Sequence, residues 1–333
     1  METIFTWTAD TAMPPMFRRR LPLVRNYPCF PGVGGSIPEM VSSEDSAGSS
    51  VAWPTPDGGV LRLPLVVSSY TLGTHVPFRE RVEAAAAAGF DGIGLRAENF
   101  WDAEATGLDG QAMSELARDA GVPVLEVEYI TAWGTAADRD AAQQRKEETV
   151  FSMARTFGVG QLNCGLIEKL PVDTIVEAFA ELCDRAGDDL TIALEFMPYS
   201  GVPDLATARR VLREANRPNS ALIVDVWHWA RAGMTPGELD LVPAERIVSV
   251  QLCDVRRTPM EPMRTESLGF RLPPGEGYGD AVGLVRALQA RNVRPRLVTV
   301  EVISDELVAQ GVTHAAKVVA AAAHRVLAGA SRG

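Results

Sequence analysis

The sequence predicts an α/β fold, a (β/α)8 TIM barrel that follows an irregular N-terminal extension. Three observations favour this class. From about residue 62, short β-branched apolar runs alternate with longer, alanine-rich helical runs. Eight such strand–helix units fit into roughly 270 residues, which is the usual size of this barrel. The competing Rossmann sheet should show a GxGxxG turn after its first strand, and the nearest match, at residues 32–35, follows no strand.

The predicted elements follow one another in a regular order along the chain. Strands are predicted at residues 63–70, 92–96, 124–129, 161–166, 191–196, 221–226, 247–252 and 297–302. Helices are predicted at residues 77–88, 110–120, 136–157, 172–186, 204–215, 279–290 and 308–327, with a shorter helical stretch at 233–246. Gly89, Gly121 and Gly158 follow three of these helices, where a glycine commonly ends a helix.

The first part of the chain differs from the rest. Residues 28–59 are rich in proline, glycine and serine and show no sustained helical or strand period. We therefore divide the chain into a flexible or irregular extension, residues 1–60, and a barrel, residues 61–330. We expect residues 1–55 to be dispensable for folding. An alternative is that translation starts downstream of this stretch.

Composition narrows the class of partner. The chain has 333 residues, of which 46% are hydrophobic and 23% charged, as in soluble globular proteins. Acidic residues outnumber basic ones by 43 to 32, so the net charge of -11 argues against nucleic acid. No apolar stretch reaches the ~18–20 residues that span a membrane, and no secretory signal is recognisable. Because the four cysteines are far apart, we expect neither a zinc cluster nor a disulfide framework. We interpret the protein as cytoplasmic, with no nucleic-acid or membrane partner.

Four of the late strands carry one polar side chain each at the same position. Glu195, Asp225, Gln251 and Glu301 fall near the C-terminal ends of their strands, on the face opposite the aliphatic residues. Because strand ends of a barrel meet at one mouth and side chains alternate, these four are expected to face one lumen. Three crowded carboxylates and an amide favour a bound divalent cation with oxygen ligands. The alternative is that each is a separate polar residue exposed at the rim.

Short motifs surround these residues. They are Leu-Glu-Phe-Met-Pro at 194–198, Asp-Val-Trp-His at 225–228, Gln-Leu-Cys-Asp at 251–254, Leu-Pro-Pro-Gly-Glu-Gly at 272–277 and Val-Glu-Val at 300–302. As a set, they resemble the xylose isomerase-like TIM barrels, proteins often labelled sugar phosphate isomerase/epimerase. The resemblance covers residues 62–328. It implies that the four strand-end residues bind Mn²⁺ or Mg²⁺, with Co²⁺ as a third option, and that the two glutamates also transfer protons.

One metal ligand departs from the commonest pattern of that family. Gln251 stands where many members have histidine, and in this the chain resembles the 3-dehydroshikimate dehydratases of the superfamily. An amide oxygen in place of an imidazole makes the site harder, which favours Mg²⁺ or Mn²⁺ over Zn²⁺.

The resemblance also implies roles for two residues beyond the ligands. His228, three residues after Asp225, would polarise the substrate or shuttle a proton, two common roles of histidine side chains in active sites. The alternative for His228 is a rim histidine bonded to a neighbouring carboxylate. Arg256 resembles the substrate-binding arginine that follows the seventh strand in this family.

Three further residues are candidates for substrate binding from their positions alone. Arg96 and Glu128 end the second and third strands on the lumen face. The guanidinium of Arg96 can bind a carboxylate or hydroxyl groups, or can merely pair with Glu98 or Glu128. Trp133 lies in a loop after a strand, where it can wall a ring-shaped substrate or simply pack.

We predict a divalent-metal-dependent isomerase or epimerase that acts on a keto-sugar or related polyhydroxy carbonyl compound by proton transfer through an enediolate. One alternative is a metal-dependent dehydratase, a lyase, acting on a cyclic keto-polyol such as 3-dehydroshikimate or an inosose. Another is a non-catalytic accessory barrel within a complex. No phosphate-binding loop is visible. The expected partner is a small molecule, and a homo-oligomer is left open.

Overall fold

The structure, a computed structural model, describes residues 50–137 and 139–332. It contains an antiparallel hairpin, β1 (Val51–Pro54) and β2 (Val60–Leu63), and eight further strands. These are β3 (Leu65–Val67), β4 (Gly92–Arg96), β5 (Val124–Ile130), β6 (Gln161–Cys164), β7 (Thr191–Glu195), β8 (Ser220–Asp225), β9 (Ile247–Leu252) and β10 (Leu297–Val300). The eight strands are parallel to their neighbours and close into a barrel in chain order, with β10 beside β3. The closed barrel confirms the predicted fold class over an open Rossmann sheet.

Helices surround the barrel at the predicted places. They are α1 (Phe78–Ala88), α2 (Ala97–Ala105), α3 (Gly110–Asp119), α4 (Ala141–Phe157), α5 (Val172–Ala186), α6 (Leu205–Ala215), α7 (Val226–Arg231), α8 (Met263–Ser267), α9 (Ala281–Ala290), α10 (Asp305–Ala309) and α11 (Val312–Ala330). Four short helices, α2, α7, α8 and α10, were not predicted. The stretch at 233–246 holds two short 3-10 helices, Pro236–Leu241 and Ala244–Arg246, instead of an α-helix. Pro236 and Pro243 break it because proline cannot donate a backbone hydrogen bond.

The barrel has an apolar floor beneath a polar mouth. Ala193, Ala221 and Ile223 form a small buried cluster that is separate from the main core. Their strand neighbours of opposite phase, such as Leu194 and Leu222, belong to the main core instead. This alternation places the polar strand-end residues of the same phase above the floor. Among the described helices, none combines the length and the apolar character needed to cross a lipid bilayer.

The hairpin that precedes the barrel is part of the packed structure. Val51 and Trp53 are buried in the main core, and the Trp53 indole N–H donates to the Val293 carbonyl at 2.8 Å. The packed part of the chain therefore begins no later than Val51, ten residues before the predicted barrel boundary at residue 61. The expectation that residues 1–55 are dispensable conflicts with the burial of Trp53, which is fully enclosed. The rest of the predicted extension, residues 1–49, lies outside the described residues.

Candidate active site

The four predicted ligand residues meet at the mouth of the barrel. Asp225 and Gln251 are register partners on β8 and β9, and the Glu301 N–H, just after β10, donates to the Leu252 carbonyl at 3.0 Å. Glu195 ends β7. All four side chains are buried, with exposures between 0% and 4%. The alternative of separate polar residues exposed at the rim does not describe this structure.

His228 lies inside this group rather than at the rim. The Asp225 side chain accepts a hydrogen bond from the His228 backbone N–H at 2.9 Å and so caps α7. The cap holds the His228 ring beside Glu195, with 3.3 Å between His228 Nε2 and Glu195 Oε1. Ligand atoms of Glu195, Asp225 and His228 all lie within 4.8 Å of one another. His228 is therefore within reach of a bound cation or of a substrate held by one.

Tyr129 orients Glu195 from the opposite side. Its hydroxyl donates to Glu195 Oε2 at 2.7 Å, and the side chain is buried. Sequence analysis missed this residue because alternation along β5 assigns Glu128 to the lumen and Tyr129 to the helix layer. The pairing of β5 with β6 shifts its register between Val127 and Ile130, and such an irregularity resets the phase of the side chains.

Arg271 was also missed, although it is the centre of the polar network. Its Nη1 donates to Asp225 Oδ2 at 2.8 Å and to Glu301 Oε2 at 3.3 Å, and its exposure is only 2%. Its Nη2 lies 3.4 Å from His228 Nε2. Its Nε donates to the Ser267 carbonyl at 2.9 Å. One guanidinium thus joins the strand-end carboxylates to the loop that follows β9.

Local backbone pairing explains how a loop residue reaches this position. Phe270 bridges to Ser304 and Leu272 bridges to Asp254, both in antiparallel fashion. The segment between them therefore runs across the barrel mouth, and the Arg271 N–H donates to the Ile303 carbonyl at 3.1 Å. The only trace of this in the sequence is an arginine directly before the Leu-Pro-Pro-Gly motif.

Arg96 and Glu128 pair with each other, as one of the alternatives expected. Arg96 Nη2 lies 3.1 Å from Glu128 Oε2 and 3.5 Å from Glu301 Oε1, and its guanidinium stacks on Tyr70 at 3.9 Å from the ring centroid. Gly94 leaves the room for this pair, since a Cβ there would come within 2.6 Å of Glu128 Oε1. Pairing does not remove Arg96 from the cavity, because it also lines the wall.

The structure does not bring three of the predicted substrate contacts, Glu128, Trp133 and Arg256, to the cavity wall. Trp133 is buried in the core, where its indole N–H donates to the Gly165 carbonyl at 2.9 Å and its ring packs on Phe179. Arg256 is half-buried, and its Nε donates to the Phe270 carbonyl at 3.3 Å. Each of these two side chains donates to a backbone carbonyl within the protein. Trp133 therefore follows the packing alternative, and Arg256 supports the loop.

The polar network opens into a cavity of about 130 Å³. Its walls combine the reactive groups with aromatic, aliphatic and cationic side chains: Arg96, Tyr129, Thr131, Ile167, Glu195, Met197, Tyr199, His228, Arg264, Ser267, Leu268, Arg271, Glu301 and Ile303. Pockets for drug-sized ligands usually measure roughly 300–1,000 Å³. The cavity therefore suits a single small ring or a short polyhydroxy chain.

The two glutamates at this cavity have opposite pKa shifts. Burial alone would raise the pKa of Glu195, but His228, the Tyr129 hydroxyl and Arg271 together lower it below its ordinary value. Burial raises the pKa of Glu301 to about 8, against the opposing charge of Arg271. Two carboxyl groups with pKa values pushed apart are typical of sites that move protons.

The donor set fits a divalent cation. Gln251 Oε1 and Glu195 Oε1 are buried and have no hydrogen-bond partner among the described residues. Leaving a buried oxygen without a partner is costly, and a cation held by the strand-end residues would satisfy the Gln251 amide oxygen. Carboxylate and amide oxygens are hard ligands of the kind that Mg²⁺ and Mn²⁺ prefer.

Comparison with known proteins agrees with the geometry. The family model described as xylose isomerase-like TIM barrel matches residues 82–327. The 3-dehydroshikimate dehydratase of Pseudomonas aeruginosa is 24% identical over 258 residues, covering 72% of this chain and 38% of the relative. The counterpart from Pseudomonas putida is 24% identical over 246 residues, with the same coverage. The chain thus spans well under half the length of these relatives.

Solved structures share the fold at lower identity. The IOLI protein, solved with a bound zinc atom, has a TM-score of 0.72 at 18% identity. The match covers 80% of this chain and 98% of the IOLI chain. The D-allulose 3-epimerase from Methylomonas, solved with D-allulose, has a TM-score of 0.57 at 20% identity, covering 77% and 88%. The family model covers most of the described barrel, so the chain belongs to the xylose isomerase-like TIM barrel family.

Proposed function

We propose that this protein is a divalent-metal-dependent dehydratase acting on a small cyclic keto-polyol that carries a carboxylate, of the 3-dehydroshikimate type. The observation that carries the proposal is the charge of the cavity wall. Arg96, Arg264 and Arg271 line a cavity of about 130 Å³, and guanidinium groups bind carboxylates with two parallel hydrogen bonds. Arg96 and Arg271 already pair with carboxylates of the barrel, which leaves Arg264, for which the described residues provide no ion pair, to bind an acidic substrate. A neutral sugar would offer Arg264 no anionic partner.

Two further observations support a dehydratase. Gln251 provides an amide oxygen where many family members have histidine, which is the pattern of the dehydratases that the sequence resembles. The curated relatives from both Pseudomonas species carry the name 3-dehydroshikimate dehydratase. Because the chain spans only 38% of their length, the activity of the whole relatives remains a proposal for this protein.

Glu195 is the better placed of the two glutamates to act as the base. Tyr129 occupies its Oε2, while its Oε1 has no hydrogen-bond partner and faces the cavity. Both oxygens of Glu301 are engaged, Oε1 by Ser68 and Oε2 by Arg271. A divalent cation bound by the strand-end residues would polarise the substrate ketone and acidify the neighbouring C–H bond.

His228 completes the elimination as the acid. Glu195 removes the proton next to the ketone, the C–H electron pair forms a carbon–carbon double bond, and the β-hydroxyl leaves with a proton from His228 as water. Glu195 then holds one proton more and His228 one fewer. With 3.3 Å between His228 Nε2 and Glu195 Oε1, the proton passes back directly and restores both groups.

The test is incubation of the Mn²⁺-loaded protein in D2O with 3-dehydroshikimate, an inosose and a panel of ketoses that includes D-allulose. We expect a new conjugated absorbance with 3-dehydroshikimate and no change in the ketoses. Deuterium uptake into a ketose without new absorbance would contradict the proposal and restore the isomerase or epimerase predicted from sequence. No turnover of any of these substrates would favour the accessory barrel.

Two controls separate chemistry from stability. Protein treated with a chelator should lose the absorbance change and regain it with Mn²⁺. Glu195→Gln should abolish turnover, whereas the same substitution at the exposed Glu148, on the outer surface of α4, should leave it unchanged.

A further inference from the structure

The carboxylates expected to bind a cation already have a cationic partner within the protein. Arg271 Nη1 donates to Asp225 Oδ2 at 2.8 Å and to Glu301 Oε2 at 3.3 Å. These two residues come from different strands, β8 and the end of β10. The guanidinium is 2% exposed and is locked from behind by Ser267, which accepts from its Nε and Nη2. It is thus fixed in the site by contacts on both sides.

The charges at this point have a simple relation. With a cation bound and Glu195, Asp225 and Glu301 all ionised, the ligand set carries three negative charges, and Arg271 leaves a net charge of −2. One divalent cation neutralises that remainder. Arg96 lies 3.5 Å from Glu301 Oε1 as well, but its closer partner is Glu128, at 3.1 Å, whose charge lies outside the ligand set and offsets that of Arg96.

We propose that Arg271 is a resident counter-cation of the metal site, which holds Asp225 and Glu301 in place without metal and weakens the binding of a divalent cation. Both effects follow from one contact. Without metal, the guanidinium offsets the repulsion between buried carboxylates. With metal, it stands beside a second positive charge that shares the same carboxylates, and this repulsion is poorly screened in a buried site.

The inference rests on the metal site of the proposed function and on no particular reaction. It predicts two changes of opposite sign when the charge is removed. In Arg271→Met, the melting temperature of the metal-free protein should fall by at least about 4 °C, while the Kd for Mn²⁺ should tighten by about tenfold or more. A residue with a purely structural role would lower stability and weaken Mn²⁺ binding together.

The measurements are thermal unfolding of chelator-treated protein and titration with Mn²⁺, following free Mn²⁺ by electron paramagnetic resonance. Arg271→Lys keeps the charge and should bind Mn²⁺ within about threefold of wild type. Arg325→Met removes an exposed arginine, paired with Glu276, and controls for net charge. If Arg271→Met does not fold, Arg271→Gln, which is neutral and can still donate to Asp225, provides the same comparison.

The outcomes separate this inference from the proposed function. Tighter Mn²⁺ binding and lower metal-free stability in a neutral Arg271 variant would support it. Weaker binding in both neutral variants, with wild type still binding Mn²⁺, would overturn the role of Arg271 alone. Failure of wild type to bind Mn²⁺ would overturn the metal site and the proposed function as well.

Discussion

The two halves of the barrel treat the buried carboxylates that face the lumen in different ways. In the late half, Glu195 keeps one oxygen without a hydrogen-bond partner, and Asp225 pairs with the buried guanidinium of Arg271. In the early half, Glu128 pairs with Arg96, and Glu126 accepts from Asn163 Nδ2 at 2.7 Å and from Thr299. Similar positions in the fold thus yield carboxylates available to a ligand in one half and carboxylates satisfied by the protein in the other.

This difference concerns the source of the compensating charge. A buried carboxylate needs a hydrogen bond, a cation or a proton, because desolvation disfavours its ionised form. In the early half, burial and the nearby Glu128 raise the pKa of Glu126 well above its ordinary value, which favours a proton as the compensation. In the late half, a divalent cation can supply it. Under the proposed function, the early half would form the wall of the site and the late half its reactive side.

The most severe test of the comparison removes one late carboxylate. Asp225→Asn should abolish metal binding and turnover, because the amide cannot supply the charge that a hard cation requires. Asparagine caps helices as well as aspartate does, so α7 and the position of His228 should persist. Metal content by elemental analysis, with circular dichroism for the fold, would measure both effects.

The matched control is Asp173→Asn, the same change at an exposed residue that pairs with Arg210 on the surface. It should keep full metal content. Wild-type metal occupancy in Asp225→Asn would show that the late carboxylates do not form the cation site.

A smaller effect is expected for a late residue that is not a predicted ligand. His228→Asn should retain near-normal metal content, because the four strand-end residues remain. Turnover should fall by ~10²–10⁴ in kcat, the usual contribution of a positioned acid or base. Release of the metal by His228→Asn would instead place His228 in the ligand set with Glu195 and Asp225, whose ligand atoms lie within 4.8 Å of its own.

The two halves of the barrel meet where β10 pairs with β3, and the hairpin β1–β2 supports this seam. The Trp53 indole N–H donates to the carbonyl of Val293, which precedes β10, and a single residue separates β2 from β3. A chain starting at Val60 should lose about 3–5 kcal/mol of unfolding free energy relative to one starting at Ser50, by analogy with truncation of a buried tryptophan. Urea unfolding of both chains measures the loss. Equal stability would show that the seam closes without the hairpin.

Regular alternation predicted the late half, and its failure explains what was missed in the early half. The shared location of Glu195, Asp225, Gln251 and Glu301 at the barrel mouth was predictable because parallel strands end at one mouth and their side chains alternate. Tyr129 escaped the same rule because the register of β5 against β6 shifts beside it. An irregularity of this kind depends on the neighbouring strand and leaves no pattern in the local sequence.

Residues on loops were predictable only in part. His228 was found because it follows Asp225 by one helical turn. Arg271 reaches the site through bridges of its neighbours to Asp254 and Ser304, and contacts of that kind between distant segments cannot be inferred from spacing. Trp133 shows the reverse case, since a loop aromatic with the expected chemistry turns into the core and donates to Gly165. Its position depends on packing that composition does not specify.

The smallest expected effect concerns the early carboxylate that no cation compensates. Because the pKa of Glu126 is raised by burial and by Glu128, the folded protein keeps a proton that the unfolded chain releases above its ordinary pKa of 4.5. Folding must therefore take up a proton above that pH, and the stability contributed at this position falls as pH rises, until the pKa of the folded state is passed.

Glu126→Gln keeps an oxygen to accept from Asn163 and removes the need for the proton. The unfolding free energy of Glu126→Gln, relative to that of wild type, should rise by at most ~1.4 kcal/mol for each pH unit above pH 4.5, as expected for one proton. Urea unfolding between pH 5 and 8 would measure this slope, with the exposed Glu148→Gln as the control that shows none. A constant difference between Glu126→Gln and wild type across that range would mean that Glu126 is ionised in the folded barrel, and the contrast between the two halves would then be lost.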